Sequence, residues 1–394
     1  MSGITVAVVG LGFGQDFVPI YLAHPAVAEV VLVEPDPARA AEVAQRFGVR
    51  RVLHGFEEAL ADPSIDAVHV LAPVVFHAEM TVAALDAGKH VACAVPMATT
   101  LEDLDRIIDA ADRSGRRYMM METSVHGREY LTVESMFRAG EFGSPTLYRG
   151  FHVQNLDGFP SYWLGFPPMH YVTHALSPAL ALFDTTVASV RANGSGRLTP
   201  DHARGGFDNP FPVEVGTFLL RGTDVVADVV MSFFQTGRSY IEGFSLYGER
   251  RGVEWPADNE GPLTVHDMLP SDGVHRGNRV TTRLHEPADH GHLLPPPLAP
   301  FVRPTTVRFP GMTEPVTVAD GHGGSHPFLV HEFVSAIVED RPSRIDERIA
   351  AAWTAPGICA HQSALHDGEL VPVPDYTAPG REARGGPDPS LRSA

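Results

Sequence analysis

The sequence predicts an α/β protein: a doubly wound parallel sheet at the N-terminal end, then an α+β half on a large, mostly antiparallel open sheet. Three observations carry that expectation. Short apolar runs alternate with helical patterns over the first third. After about Glu122 the pattern changes to longer strand-like runs with few helices between them. A glycine-rich turn follows the first apolar run. Alternating strands and helices imply a parallel sheet covered on both faces, and right-handed crossovers make double winding the economical topology.

In order, Ile4–Val9 reads as a buried strand, followed by Gly10-Leu11-Gly12-Phe13-Gly14 and a helix to about Ala23. Glu29–Glu34 is a second strand and Asp36–Phe47 a helix with Ala38, Ala41 and Ala44 along it. Asp66–Leu71, His90–Cys93 and Tyr118–Met121 are further strands, separated by helices over His77–Ala87 and Leu101–Ser114. Residues 124–140 read as a helix ending at Gly140. Strand character then marks Thr146–Gln154, Val187–Ala192, Val213–Leu220, Val225–Phe234 and Glu242–Tyr247. Residues 286–326, rich in Pro, Gly and His, read as a long surface loop. Helices return at Pro327–Val338 and Ile345–Leu365. The expected division is residues 1–123, residues 124–376, and a disordered tail over 377–394.

A chain of 394 residues suits roughly two domains. With 30 basic and 48 acidic side chains, its net charge of −18 repels phosphate backbones and anionic membrane surfaces. Nucleic acid and membrane are therefore not expected partners. No run of 18 apolar residues occurs, and MSGITVAVVG lacks the basic and apolar regions of a signal peptide. Two cysteines, Cys93 and Cys359, exclude a disulfide scaffold and a multi-cysteine zinc site. A cytoplasmic setting is the expectation. The histidines at 290, 292, 322, 326 and 331 match no zinc-enzyme spacing, so no metal is expected.

Gly10-x-Gly12 lies where a strand passes into a helix, the context in which this pattern binds a dinucleotide. The first glycine permits the tight turn and the second lets a pyrophosphate approach the backbone at the helix N-terminus. The third glycine, Gly14, comes one residue early, and Gln15 holds the usual place. Glu34 ends the second strand, where a carboxylate accepts from ribose hydroxyls and repels a 2′-phosphate. The cofactor expected is NAD rather than NADP.

Beyond that turn, the chain resembles the Gfo/Idh/MocA family of oxidoreductases. The resemblance rests on GLGFG at 10–14, DPSIDAVHVLAP at 62–73, HAEMTVAALDAGKHV at 77–91 and PMATTLEDLD at 96–105. It continues through MMMET at 119–123, GEFGSP at 140–145 and SHPFLVHEFVSAIVEDRPSRID at 325–346. It implies a Rossmann domain, a nicotinamide cofactor, a sugar or polyol substrate, and a homodimer or homotetramer formed through the open sheet. It also implies cofactor contacts from Gly10, Gly12, Phe13, Gly14, Glu34, Pro73, His77, Val95 and Pro96. Two departures stand out. The family's Glu-Lys-Pro is Ala94-Val95-Pro96 here, so the proton-shuttling lysine is missing. The family's Asp-x-x-x-His is His170-x-x-x-His174, which keeps the histidine and replaces the aspartate.

Removing a hydride from a CHOH carbon requires a base for the hydroxyl proton. His174 is the first candidate, with Tyr171 three residues earlier and so able to share a helix face with it. A Tyr-x-x-His pair with valine for the lysine resembles the NAD-dependent glycosidases related to this family, which oxidise C3 transiently, eliminate the aglycone and re-reduce. His170 and Glu122 complete the catalytic candidates, although Glu122 can equally cap the following helix. His152 and Trp163 are candidate substrate contacts, and either can instead be core. The expected activity is NAD-dependent hydride transfer at a sugar or glycoside carbon, C3 of a pyranose. The alternatives are redox-neutral glycoside cleavage and a non-catalytic sensor of NAD and sugar.

Overall fold

A computed structural model of the chain describes residues 3–377 apart from 260, 271, 272, 274–276 and 278. Beyond Thr377, the tail expected above lies outside the described residues. The chain forms two compact units, each taking two stretches of sequence.

The first unit holds a six-stranded parallel sheet. Its strands are β1 (Ile4–Val9), β2 (Val27–Val33), β3 (Arg51–Leu53), β4 (Ala67–Val70), β5 (His90–Cys93) and β6 (Tyr118–Met120), in the order β3-β2-β1-β4-β5-β6. The order reverses direction between β1 and β4, which puts the ligand-binding crevice at their carboxyl ends. Local chemistry starts the helices: Asp36 Oδ1 accepts from the amides of Ala38 and Arg39, and Thr100 Oγ1 from Asp103. Lys89 is buried, its Nζ donating to the carbonyls of Asp62 and Ile65 at 2.6 and 2.8 Å.

Residues 289–351 join this unit, not the second as the sequence pattern suggested. Val6, Val8 and Leu32 of the sheet share one buried cluster with Phe17 and Tyr21, and with Leu298, Phe301, Leu329 and Phe333 from the returning stretch. The expected surface loop over 286–326 is therefore corrected. Leu294, Leu298, Phe301 and Val302 are buried, and Thr305–Val307 pairs with Val316–Val318 as a hairpin. Its Pro, Gly and His content hid these core side chains.

The second unit, Gly127–Ala288 with Ala352–Asp375, is built on a nine-stranded sheet. Its strands are β7 (Pro145–Gln154), β8 (Val187–Ser195), β9 (Val213–Leu220), β10 (Val226–Ser232), β11 (Tyr240–Gly248), β12 (Arg251–Glu254), β13 (Leu263–Met268) and β14 (Val280–His285). They lie in the order β14-β13-β12-β11-β7-β10-β9-β8, with Val371–Pro372 outside β8. Every pairing is antiparallel except β7 with β10. The helix expected over 124–140 is shorter, Arg128–Arg138.

One face of this sheet carries the helix Thr173–Phe183. It sits close because β7 has a glycine beneath it: a Cβ on Gly150 would lie 2.0 Å from the Ala175 carbonyl oxygen. Tyr148 Oη donates to that same carbonyl at 2.7 Å. Strand and helix are thus locked in register before any site residue is considered.

Candidate functional site

In the first unit, the glycine turn has the shape a dinucleotide requires. Gly10 has φ +89°, and a Cβ there would meet the Leu71 carbonyl oxygen at 2.9 Å. A Cβ on Gly14 would touch Leu71 and Val8 side chains at 3.0 and 3.1 Å, so this glycine serves helix–sheet packing. A Cβ on Gly12 meets nothing within 4 Å, leaving the backbone open to a ligand, with exposed Phe13 beside it. Glu34 is buried at the end of β2. Its Oε2 accepts from the Leu11 amide at 2.8 Å and its Oε1 from the Asp36 amide at 3.1 Å. Arg39 stands 3.8 Å from the same carboxylate.

Pro73 precedes a short 3₁₀ turn, Val74–Phe76, that leaves Val75 and Phe76 exposed. Val95 is buried and precedes Pro96 through a cis peptide, so the position of the family lysine holds an inward apolar side chain. His77 is buried with Nδ1 2.8 Å from the Pro96 carbonyl oxygen and Nε2 3.0 Å from that of Ala72. Carbonyls only accept, so both nitrogens donate and the ring is an imidazolium. Burial works against the charge, but the adjacent Cys93 sulfur and the two carbonyls outweigh it and push the pKa up to about 9. Glu122 is fully buried, and its Oε1 accepts from the Ser124 amide at 2.9 Å, the capping arrangement.

In the second unit the register assembles a polar row across the sheet. Glu242 of β11 lies opposite His152 of β7, His152 opposite Met231 of β10, and Met231 opposite Glu214 of β9. Residues directly opposite share a face, so this row carries two carboxylates and an imidazole. The helix Thr173–Phe183 and the turn before it supply the rest.

At one end of the row, His152 Nδ1 is 3.2 Å from Glu242 Oε2 and His174 Nδ1 is 3.7 Å from the same oxygen. The two imidazoles stack, with centroids 5.5 Å apart and planes 17° from parallel. Tyr171 meets His174 at 4.7 Å and His152 at 5.8 Å, edge to face. Trp163 and Phe233 pack on Tyr171 at 5.5 and 5.6 Å. His174 and His152 are buried, whereas Tyr171 and Trp163 are partly exposed. The Tyr171–His174 pair and the candidate substrate contacts His152 and Trp163 thus form one cluster.

His170 belongs elsewhere. Its ring meets His361 at 5.1 Å, and burial, aided by the charge of His361, drives its pKa down to about 3. His361 Nδ1 is 2.7 Å from Glu214 Oε1, while Glu214 Oε2 accepts from the Met169 amide at 2.8 Å. His170 is therefore neutral and packs against the hydrogen-bonded His361–Glu214 pair beneath the turn. Glu242 and Glu214 were missed in the sequence, where each is one polar residue in a strand. Only the pairing register brings them to the helix.

Residues 4–122 match the family model described as an oxidoreductase family with an NAD-binding Rossmann fold. A glycosyl hydrolase family 109 protein of Porphyromonas gingivalis is 30% identical over 96% of this chain and 85% of its own length. The chain belongs to the Gfo/Idh/MocA oxidoreductases. An inositol 2-dehydrogenase of Acidothermus cellulolyticus is 30% identical over 64% of this chain and 72% of that protein. A solved levoglucosan dehydrogenase in complex with NADH has the same fold, with a TM-score of 0.76 at 20% identity, covering 95% of this chain and 100% of that one. As a Gfo/Idh/MocA oxidoreductase the chain takes NAD, and its open Gly12 backbone and buried strand-end Glu34 fit that cofactor. No described helix is long and apolar enough to cross a membrane.

Proposed function

We propose that this chain transfers a hydride between NAD and a carbinol carbon of a sugar or glycoside, C3 of a pyranose, with His174 taking the hydroxyl proton. The carrying observation is the cluster of His174, Tyr171 and His152 around the Glu242 carboxylate. NAD supplies the hydride acceptor. The Gly10–Gly14 turn and Glu34 bind the dinucleotide; Pro73, His77, Val95 and Pro96 shape the backbone beside it.

The proton is the protein's task. A carbinol losing a hydride must also lose its O–H proton. The lysine that family members use is replaced by buried Val95, so the imidazole of His174 receives that proton. Glu242 stabilises the resulting imidazolium by charge at 3.7 Å. Tyr171, partly exposed and edge-on to His174, is placed to pass the proton between substrate and imidazole. His152 holds Glu242 from the other side, and Trp163 offers an aromatic face to a sugar ring. Glu122 shapes the turn after β6, and His170 supports the turn that carries Tyr171.

A second reading is redox-neutral cleavage of a glycoside through transient C3 oxidation. The valine at position 95 and the similarity to the family 109 proteins along 96% of the chain favour it. Incubation with NAD and aryl glycosides in deuterated water separates the readings. Accumulating NADH marks the dehydrogenase. Aglycone release with deuterium at C2 marks the cleavage. Binding of NAD with neither outcome leaves a sensor and refutes both. We also place the protein in the cytoplasm, where two unpaired cysteines stay reduced, and as a homodimer or homotetramer through the open sheet, which light scattering tests.

A further inference from the structure

The aromatic cluster continues outward along one loop of the second unit. After β7 the chain reads NLDGFPSYWLGF over residues 155–166. Trp163 meets Tyr171 edge-on, and Tyr171 meets His174. Tyr162 meets Trp163 in turn, with ring centroids 5.7 Å apart and planes 41° from parallel. Exposure rises along this series. His174 is buried, Tyr171 and Trp163 are partly exposed, and Tyr162 is 41% exposed. Phe159, three residues earlier, is 48% exposed.

Rings on a loose loop would fold back onto apolar surface, but this loop is held in place. The Asn155 amide donates to the Arg238 carbonyl and the Leu156 amide to that of Phe233, both at 2.9 Å. Local turns follow, with the Phe159 amide donating to the Leu156 carbonyl and the Trp163 amide to that of Pro160. Leu156 and Phe166 anchor the two ends in the core. The turn His202–Gly205 buttresses the loop: Asp157 Oδ1 is 2.7 Å from His202 Nε2, and Gly205 passes too close to the Leu164 carbonyl for any Cβ. The loop also offers no cation. Its sequence holds no Lys or Arg, and its one charged residue, Asp157, is paired with His202. Arg238, whose backbone anchors it, directs its guanidinium to the carbonyls of Tyr240 and Ala257 at 3.2 and 2.6 Å.

We infer that Tyr162 and Phe159 form an outer subsite for an uncharged ring, an aryl group or a second pyranose, joined to the sugar beside His174. The apolar face of such a ring stacks on aromatic side chains, whereas a phosphate finds no partner on this loop. The inference rests on a sugar occupying the His174 cluster. It narrows the substrate class to glycosides with an uncharged ring as aglycone, rather than free monosaccharides or nucleotide sugars.

Calorimetric titration of the NAD-loaded full chain tests it in wild type, Tyr162→Ala, Tyr162→Phe and Phe159→Ala. The ligands are phenyl and methyl glycosides of glucose and galactose in both anomers, the disaccharides cellobiose, maltose and lactose, and UDP-glucose. Wild type is expected to bind a phenyl glycoside or a disaccharide about five-fold more tightly than the matching methyl glycoside, the factor one stacked ring supplies. Preference for the phenyl glycoside alone marks an aryl aglycone, and preference for a disaccharide marks a second sugar. Tyr162→Ala should erase the preference while methyl glycoside affinity stays within two-fold, Tyr162→Phe should keep it, and Phe159→Ala should reduce it. A preference that survives both alanine variants overturns the inference. So does equal weakening of phenyl and methyl glycosides, which assigns the rings to loop folding, and so does tightest binding by UDP-glucose. A change of oligomeric state in Tyr162→Ala, read by light scattering, gives the surface to a second copy of the chain instead. Binding of NAD with no glycoside bound by wild type overturns the sugar site itself, a distinguishable result.

Discussion

The charge on His77 should appear in the pH dependence of stability. Its ring is buried between the carbonyls of Ala72 and Pro96 with Cys93 alongside, and its pKa is raised from 6.5 to about 9. A group bound more tightly to its proton in the folded state stabilises that state fully below the unfolded pKa. The contribution falls as pH rises from about 6.5 and is gone above about 9. At roughly 1.4 kcal/mol per pKa unit, the shift corresponds to about 3 kcal/mol. For a unit of this size that equals roughly 6–12 °C in Tm. The assay is thermal or urea unfolding of wild type and His77→Gln in parallel from pH 6 to pH 10. The difference between the two curves isolates this one group. The gap should be widest near pH 6 and shrink by about 3 kcal/mol towards pH 10. Cys93→Ala, which removes the sulfur and keeps both carbonyls, should shrink by a smaller amount over the same range. Curves for wild type and His77→Gln that run parallel across the whole range would refute the imidazolium.

Phe333→Ala should destabilise the first unit by about 3–5 kcal/mol, the cost of emptying a fully buried aromatic site; a loss under 1 kcal/mol in urea unfolding would remove residues 289–351 from that core. His174→Ala should lower sugar-dependent turnover by roughly 10²–10⁴-fold while the NAD dissociation constant stays within two-fold, and retained turnover takes His174 out of the chemistry. Glu242→Gln should move the acidic limb of the kcat/KM profile to lower pH, because the carboxylate at 3.7 Å favours protonated His174; an unmoved limb separates Glu242 from the proton path. NAD should raise the Tm more than NADP does, and Glu34→Ala should narrow that gap; equal shifts in wild type would contradict the role of Glu34.

Much of the first unit was legible because its determinants are local. Parallel strands buried on both faces read as continuous apolar runs, and Gly10, Gly12 and Glu34 keep fixed places relative to β1 and β2. His174 and Tyr171 were legible as a spacing on one turn. Tertiary structure decided the rest. Whether 289–351 covers the parallel sheet depends on long-range burial of Leu298, Phe301 and Phe333, in a stretch whose first half has a loop-like composition. Glu242 and Glu214 become partners of histidines only through strand register, and one residue of slip would turn both away from the helix. His170 shares a turn with Tyr171, yet its ring lies against His361, 191 positions on. The sequence by itself determined the backbone pattern and the cofactor turn, because those follow from neighbours within a few residues. The charge and company of each histidine came from packing, because a side chain's proton affinity depends on what the fold places around it.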